Sequence, residues 1–256
     1  MMIQNNFITK LASSNKRIDG RLFDQVRKIV VDDKIIEKAE GAALVKLGNT
    51  QVIAGVKLEV GEPFPDKPND GVLMTSAEFS PISSPDFEQG PPRENSIELA
   101  RIVDRGIREC GAIDTKKLCI EDGKKVWMVC IDINILDNFG NLIDASAMAS
   151  AVALNQCVFP KYEDGKVIAT EKTKKKLPVL YTAVACTFAK IGNHMLLDPN
   201  LEEEEASSCR LTLSTRDDGN LCAIQKGGTG YLSSADVEHA LDVAVERGKE
   251  IRKLLK

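Results

Sequence analysis

Histidine and aromatic side chains are scarce in this chain of 256 residues, which has two histidines, His194 and His239, one tryptophan and three tyrosines. A metal site or a base–nucleophile pair built on histidine therefore has little to work with. The cysteines, at 110, 119, 130, 157, 186, 209 and 222, never fall at Cys-x-x-Cys spacing. That excludes the common zinc and dithiol motifs and leaves the thiols as small buried hydrophobes. An excess of one charge is also lacking: 34 Lys and Arg face 38 Asp and Glu, for a net charge of −4. The chain is not a generally basic nucleic-acid binder, so any RNA contact has to come from a local patch. No apolar run approaches the ~20 residues of a membrane span. The start, MMIQNNFITKLASSNKR, lacks the charged, apolar and small-residue succession of a signal peptide. No membrane association is expected, and the cytoplasm is the expected compartment.

What is present suits a folded α+β chain. It is 43% hydrophobic and 28% charged, and a chain of this length buries roughly 75% of the surface its unfolded form exposes. β-Branched runs over 20–58 (IVV, AALVKL and TQVIAGVKLEV) read as strands, with Gly-Asn-Thr at 48–50 as a hairpin turn. GEPFPDKPND at 61–70 carries three prolines and is excluded from a strand interior. VLMTSAEFS at 72–80 reads as a further strand, followed by a Pro- and Ser-rich loop at 81–92. VWMVCIDINILD at 126–137 reads as a continuous, fully buried strand. IDASAMASAVALNQC at 143–157 reads as an Ala-rich helix packed tightly in the core. Short strands recur after residue 179, with Asp217-Asp218-Gly219-Asn220 as a hairpin turn, and a last helix runs from near Ser233 to Lys256. This gives an expected N-terminal segment 1–32, a first domain 33–165, a linker 166–178 containing the basic run TEKTKKKLP, and a second domain 179–256. Strands followed by a helix occur twice, a duplicated strand–helix plan with mixed sheets packed on helices.

The helix expected over 93–110 carries an apolar stripe of Ile97, Leu99, Ile102, Val103 and Ile107. On it Arg101, Arg105 and Arg108 share an arc of about 60°. Such arginines usually mark a solvated face or pair with neighbours such as Glu98 and Asp104. Glu202–Glu205 reads as a solvated acidic edge rather than a metal site, because consecutive side chains point in different directions. GGTG at 227–230 lacks the lysine and spacing of a phosphate loop and reads as a tight turn.

RIDGR at 17–21, GAALVKLGNTQVIAGVKLEV, RENSIELARIVDRGIREC and CIDINILDNFGNLIDASAMASAVAL resemble the RNase PH family, in the family's order, over about 17–256. ENSIELARIVDRGIR and DPNLEEEE are most similar to the non-catalytic RNase PH-like subunit of the archaeal exosome. The resemblance implies an RNase PH-like fold and directs attention to two elements. Active members bind the attacking phosphate with a Gly-Thr/Ser-Arg loop at the start of the Ala-rich helix, where outward N–H groups and the helix dipole favour anions. Here the loop reads Gly140, Asn141, Leu142, Ile143 and Asp144. Leu142 and Ile143 stand at the Thr-Arg positions, and Asp144 is expected to repel phosphate. Active members also place a catalytic carboxylate after the acidic run. Asp198 and Glu203–Glu204 match the earlier carboxylates, but the later position holds Arg210, which neither binds a metal nor accepts a proton near pH 7.

The resemblance therefore implies a chain with no catalytic residues, metal or cofactor of its own. It would complete a hexameric ring, a trimer of heterodimers with a catalytic RNase PH-like exosome subunit. It would shape that neighbour's active site and help bind RNA for 3′-to-5′ phosphorolysis beneath RNA-binding cap subunits. Arg101, Arg105 and Arg108, with Arg93, are the candidate RNA contacts. Two alternatives stay open: a phosphorolytic exoribonuclease active by itself, its acid displaced onto Asp198, Glu203 or Glu204, and a homohexamer that only binds RNA.

Overall fold

The structure, a computed structural model, describes residues 2–33 and 35–255. It opens on a helix, α1 (Met2–Ser13), inside the N-terminal segment 1–32, for which the sequence predicts no element. Ile8 and Ala12, one turn apart, are buried and pack on Ile191 and Leu196.

The first sheet contains β1 (Ile29–Asp32), β2 (Gly41–Leu47), β3 (Thr50–Gly61), β4 (Val72–Phe79), β5 (Cys119–Glu121) and β6 (Lys125–Asp137). Its order is β1-β2-β3-β6-β4, with β5 also on β6; β4 runs parallel to β6, and the other pairs are antiparallel. Leu47 faces Thr50, so the β2–β3 turn is tight, and Gly48 supplies the left-handed residue at φ 59°. β6 departs from the fully buried strand expected of it. Val129, Ile131, Ile133 and Ile135 are wholly buried, but Asp132 between them is exposed. Only one face of this sheet is covered, so the strand alternates; its outward Cys130, Asp132 and Asn134 were the readable sign.

α2 (Glu94–Cys110) and α3 (Leu142–Gln156) cover that buried face. Beyond them lies the second sheet, β10 (His194–Leu197), β9 (Val184–Ile191), β11 (Cys209–Thr215) and β12 (Leu221–Gly228), antiparallel in that spatial order. β9 is buried at every position. Thr187 bonds to Asp144 of α3, whereas Cys186 Sγ lies 3.9 Å from Ala244 O of the last helix, α5 (Ser234–Leu254). The strand is thus sandwiched between helices. The expected end of α5 at Lys256 lies outside the described residues.

Two further expectations change. Residues 166–176, expected within a linker, form β8 (Lys166–Lys176), which pairs with β7 (Val158–Glu163) as a hairpin turning at Asp164 and Gly165. Its lysines are exposed, but Lys172 Nζ donates to the carbonyls of Glu37 and Ala39 and Lys175 lies over Phe159. The acidic run forms a short helix, α4 (Leu201–Ala206), rather than a solvated edge. Asn200 and Glu203 cap it reciprocally, at 2.9 and 3.0 Å. Glu203 is 1% exposed and takes two bonds from Arg17, at 2.8 and 2.5 Å. Among the described residues, no helix is long and apolar enough to cross a membrane.

Candidate functional site

The turn after β6 delivers the chain to the N-terminus of α3, where a phosphate-binding family would hold its anion. Gly140 (φ 84°) and Asn141 (φ 55°) both take the left-handed conformation. A Cβ on Gly140 would collide with the Asn200–Leu201 backbone, so glycine lets this turn lie against the start of α4. That closeness decides the chemistry. The Asn141 N–H, which points out of the helix start, donates to Glu204 Oε1 at 2.9 Å. One N–H of the helix start is thus taken by the chain's own carboxylate.

Behind the turn lies a buried polar network. Asn141 Nδ2 donates to Asp144 Oδ2 at 2.8 Å and to Asp198 Oδ1 at 2.7 Å. Asp144 also accepts from Thr187 N–H at 2.9 Å and Thr187 Oγ1 at 2.7 Å. Asp144 thus faces inward to β9, not outward to repel phosphate as the sequence had suggested. Asp198 receives the backbone N–H and Nε of Arg27, at 2.8 and 2.9 Å, on one oxygen. Arg27 Nη2 reaches the other oxygen at 2.7 Å, and Arg21 Nη1 adds a bond at 3.0 Å.

The environments of these carboxyls shift them in opposite directions. Burial pushes Asp198 up, but the bonds and charge of Arg27 outweigh it and hold the group below the usual carboxylate range. Burial pushes Asp144 up to about 7, helped by the neighbouring Asp198 charge and opposed by the Asn141 and Thr187 bonds. Glu204 is likewise pushed up to about 7 by burial, against the Asn141 N–H and the charges of Arg210 and Arg27.

The two elements that were doubtful in sequence meet in space. Leu142, Ile143, Glu204 and Arg210 line one cleft of about 210 Å³, together with Glu98 and Asn138. Arg210 pairs with Glu98 at 2.5 Å and lies across Gly227, where a Cβ would come within 3.0 Å of its guanidinium. The cleft wall beside the anion position is therefore aliphatic, and its one arginine is already paired.

The helical arginines fall elsewhere. Arg101, Arg105 and Arg108 line a second groove of about 760 Å³, bounded by Thr75, Asp104 and Gln225. Arg108 is engaged, with two 3.0 Å bonds to Asp104 and a third to Leu73 O. Arg105 reaches Gln225 Oε1 at 3.4 Å, and Arg101 is exposed with no ion-pair partner among the described residues. The pairing of Arg101 or Arg105 with Glu98 or Asp104 does not occur, because those acids hold Arg210 and Arg108. Arg93 stands apart: it pairs with Glu88 on a third cavity, under the 80–93 loop. Sequence reasoning missed Arg17, Arg21 and Arg27 as the residues that neutralise the acidic segment. RIDGR had been recognised, but nothing local links it to residues 198–204.

Models of the 3′ exoribonuclease family match in two parts, domain 1 over residues 25–160 and domain 2 over 181–247. The chain is 48% identical over 247 residues to exosome complex component Rrp42 of Methanothermobacter thermautotrophicus, covering 96% of this chain and 91% of that protein. Against Rrp42 of Thermococcus kodakarensis the identity is 47%, over 99% of this chain and 95% of the relative. Among solved structures, a chain of the Archaeoglobus fulgidus exosome with RNA bound to the active site is similar at TM-score 0.93 and 46% identity, with 99% and 98% of the two chains covered.

The raised carboxyls carry a pH signature. An acid at about 7 in the folded chain, against 4.5 for an ordinary Glu, holds its proton between those values after the unfolded chain has lost it. The folded state then binds more protons, so this contribution favours folding at acid pH and is lost as pH rises to about 7. Replacing Glu204 by Gln should therefore raise stability relative to the parent chain between about pH 5 and pH 8, measured by urea unfolding. A difference that does not change with pH would show that Glu204 is ionised throughout.

Proposed function

Because this chain belongs to the 3′ exoribonuclease (RNase PH) family, we propose that it is the non-catalytic RNase PH-like subunit of an RNA exosome of the archaeal type. The observation that carries this reading is the shared cleft of Leu142, Ile143 and Arg210. Phosphorolysis needs a cationic grip on phosphate and a placed carboxylate, since most of its rate comes from positioned charge. The first is replaced by aliphatic side chains and the second by an arginine tied to Glu98.

In this reading the chain alternates with a catalytic RNase PH-like subunit in a cytoplasmic hexameric ring, three of each, under RNA-binding cap subunits. Its two family units divide at the β7–β8 hairpin. The Archaeoglobus relative, whose structure is described with RNA at the active site, supports an RNA-handling assembly. Arg101 and Arg105 serve as phosphate contacts, positioning the strand without reading its sequence. Arg108 contributes less, being held by Asp104, and Arg93 belongs to a separate surface.

The autonomous-enzyme reading fares worse on the same residues. Asp198 is held by Arg27 and Arg21, and Glu203 by Arg17. Glu204 alone of the three lines the cleft, and there it is bonded to the Asn141 N–H. The deciding assay is release of nucleoside diphosphates from oligo(A) with phosphate and Mg²⁺. It uses this chain alone, a catalytic RNase PH-like partner from the same genome alone, and the two mixed. No release by this chain, and more from the mixture than from the partner by itself, is the expected result. Release by this chain alone would overturn the proposal.

The arginine assignment has its own test. In the assembled ring, Arg101→Glu with Arg105→Glu should weaken RNA binding at least tenfold at low salt while leaving assembly intact. The slope of log affinity against log salt should fall by roughly 0.7 per lost contact on single-stranded RNA. Unchanged affinity would remove these two residues from the RNA path.

A further inference from the structure

Glu98 stands on the ridge between two clefts. It lines the smaller one with Arg210 and the larger groove with Arg101 and Arg105. On α2 it comes three residues before Arg101, and Asp104 comes three residues after. Side chains three apart on a helix are surface neighbours, close enough for an acid and an arginine to pair. Arg101 is therefore flanked by two carboxylates, each able to cancel its charge. Neither does. Asp104 takes two 3.0 Å bonds from Arg108, and Glu98 Oε1 takes Arg210 Nη2 at 2.5 Å. Arg101 is left exposed, without an ion-pair partner among the described residues.

The second sheet decides which arginine Glu98 meets. Arg210 is the second residue of β11 and pairs directly with Gly227 of β12. A Cβ on Gly227 would come within 3.0 to 3.1 Å of Nε, Cζ and Nη2 of Arg210. The absent side chain lets the guanidinium lie across the strand, with its Nε buried there and unbonded. Only 30% of the Arg210 side chain is exposed, so its fork is already placed when it meets Glu98. Arg101 stands in solvent and would give up more side-chain freedom to reach the same carboxylate. Arg210 therefore wins the competition for Glu98.

We propose that Arg210 is a positioning residue for RNA: by holding Glu98, it keeps the Arg101 charge free for a phosphate in the groove. The proposal rests on the reading of Arg101 as an RNA contact. In the absence of Arg210, Glu98 turns to Arg101 one turn away and cancels that contact. Arg210 makes no contact with RNA itself; it acts through Glu98. The arginine at the position of the missing carboxylate thus has a use of its own, and Gly227 is the residue that makes room for it.

The test measures the affinity of the assembled ring, this chain with its catalytic RNase PH-like partner, for oligo(A) at low salt without inorganic phosphate. Arg210→Gln should weaken binding roughly two- to fivefold, and the difference should fade at high salt. Adding Glu98→Gln should restore the affinity of the parent ring. This pair of changes also controls for folding, since it removes the ion pair without stranding a charge, and melting curves and ring size are checked for each variant. The deciding arm is a ring that already carries Arg101→Gln. There Arg210→Gln should lose most of its effect, because Glu98 has no Arg101 to capture. An equal loss with and without Arg101 would mean that Arg210 acts on RNA by its own charge, and would overturn the proposal. Full affinity in Arg210→Gln, beside weakened binding in Arg101→Gln, overturns it too, and leaves Arg101 as an RNA contact. No effect of Arg101→Gln by itself removes Arg101 from the RNA path, and the role of Arg210 with it.

Discussion

The carboxylate of Asp198 ties together three parts of the chain that are remote in sequence. It sits in the turn between β10 and α4 and takes hydrogen bonds from Arg27 and Arg21 of the N-terminal segment and from Asn141 at the head of α3. Arg17 continues the network to Glu203 and to the carbonyls of Leu197 and Asp198. Buried ion pairs of this kind are not a large net source of stability, because desolvation offsets much of their attraction. What they set is geometry. Removing one partner strands a charge at a cost of about 3–5 kcal/mol, so the segments are held in one relative placement. The acidic helix therefore lies against the start of α3, and Glu204 reaches the Asn141 N–H.

That placement commits one N–H of the α3 start to the chain's own carboxylate. A helix start offers unpaired N–H groups and a partial positive charge, and some anion will take them. Here the anion is covalently part of the chain, so an external phosphate has to displace it without help from a loop cation. Leu142 and Ile143 supply none, and Arg210 is paired with Glu98. The same economy explains why the helical arginines split. Arg108 is used to hold Asp104 and the β4 backbone, whereas Arg101 keeps its charge for solvent or ligand.

Periodic elements were legible before the structure. β2 and β3 alternate along their length, their turn is Gly-Asn, and the apolar stripe of α2 recurs at helical spacing. The residue types at the loop and late-carboxylate positions, Ile143 and Arg210, could be read once the segments were placed. What escaped depended on partners far away in sequence. The run of glutamates looks solvated until Arg17 arrives from 186 residues away to bury Glu203. The lysines of β8 hid a strand because their spacing carries charge instead of hydrophobic alternation, and its partner β7 supplies the apolar side chains. α1 was missed because only Ile8 and Ala12 mark its buried face, too few for a periodicity.

The most direct test of the account follows the Asn141 backbone amide by heteronuclear NMR while inorganic phosphate is titrated into the isolated chain at neutral pH. The account holds that this N–H is already committed to Glu204, so its resonance should stay in place up to concentrations on the order of 10 mM. A saturable shift with a midpoint on the order of 1 mM or below would mean that phosphate displaces Glu204. The anion site would then be intact, and its loss could no longer explain a silent subunit.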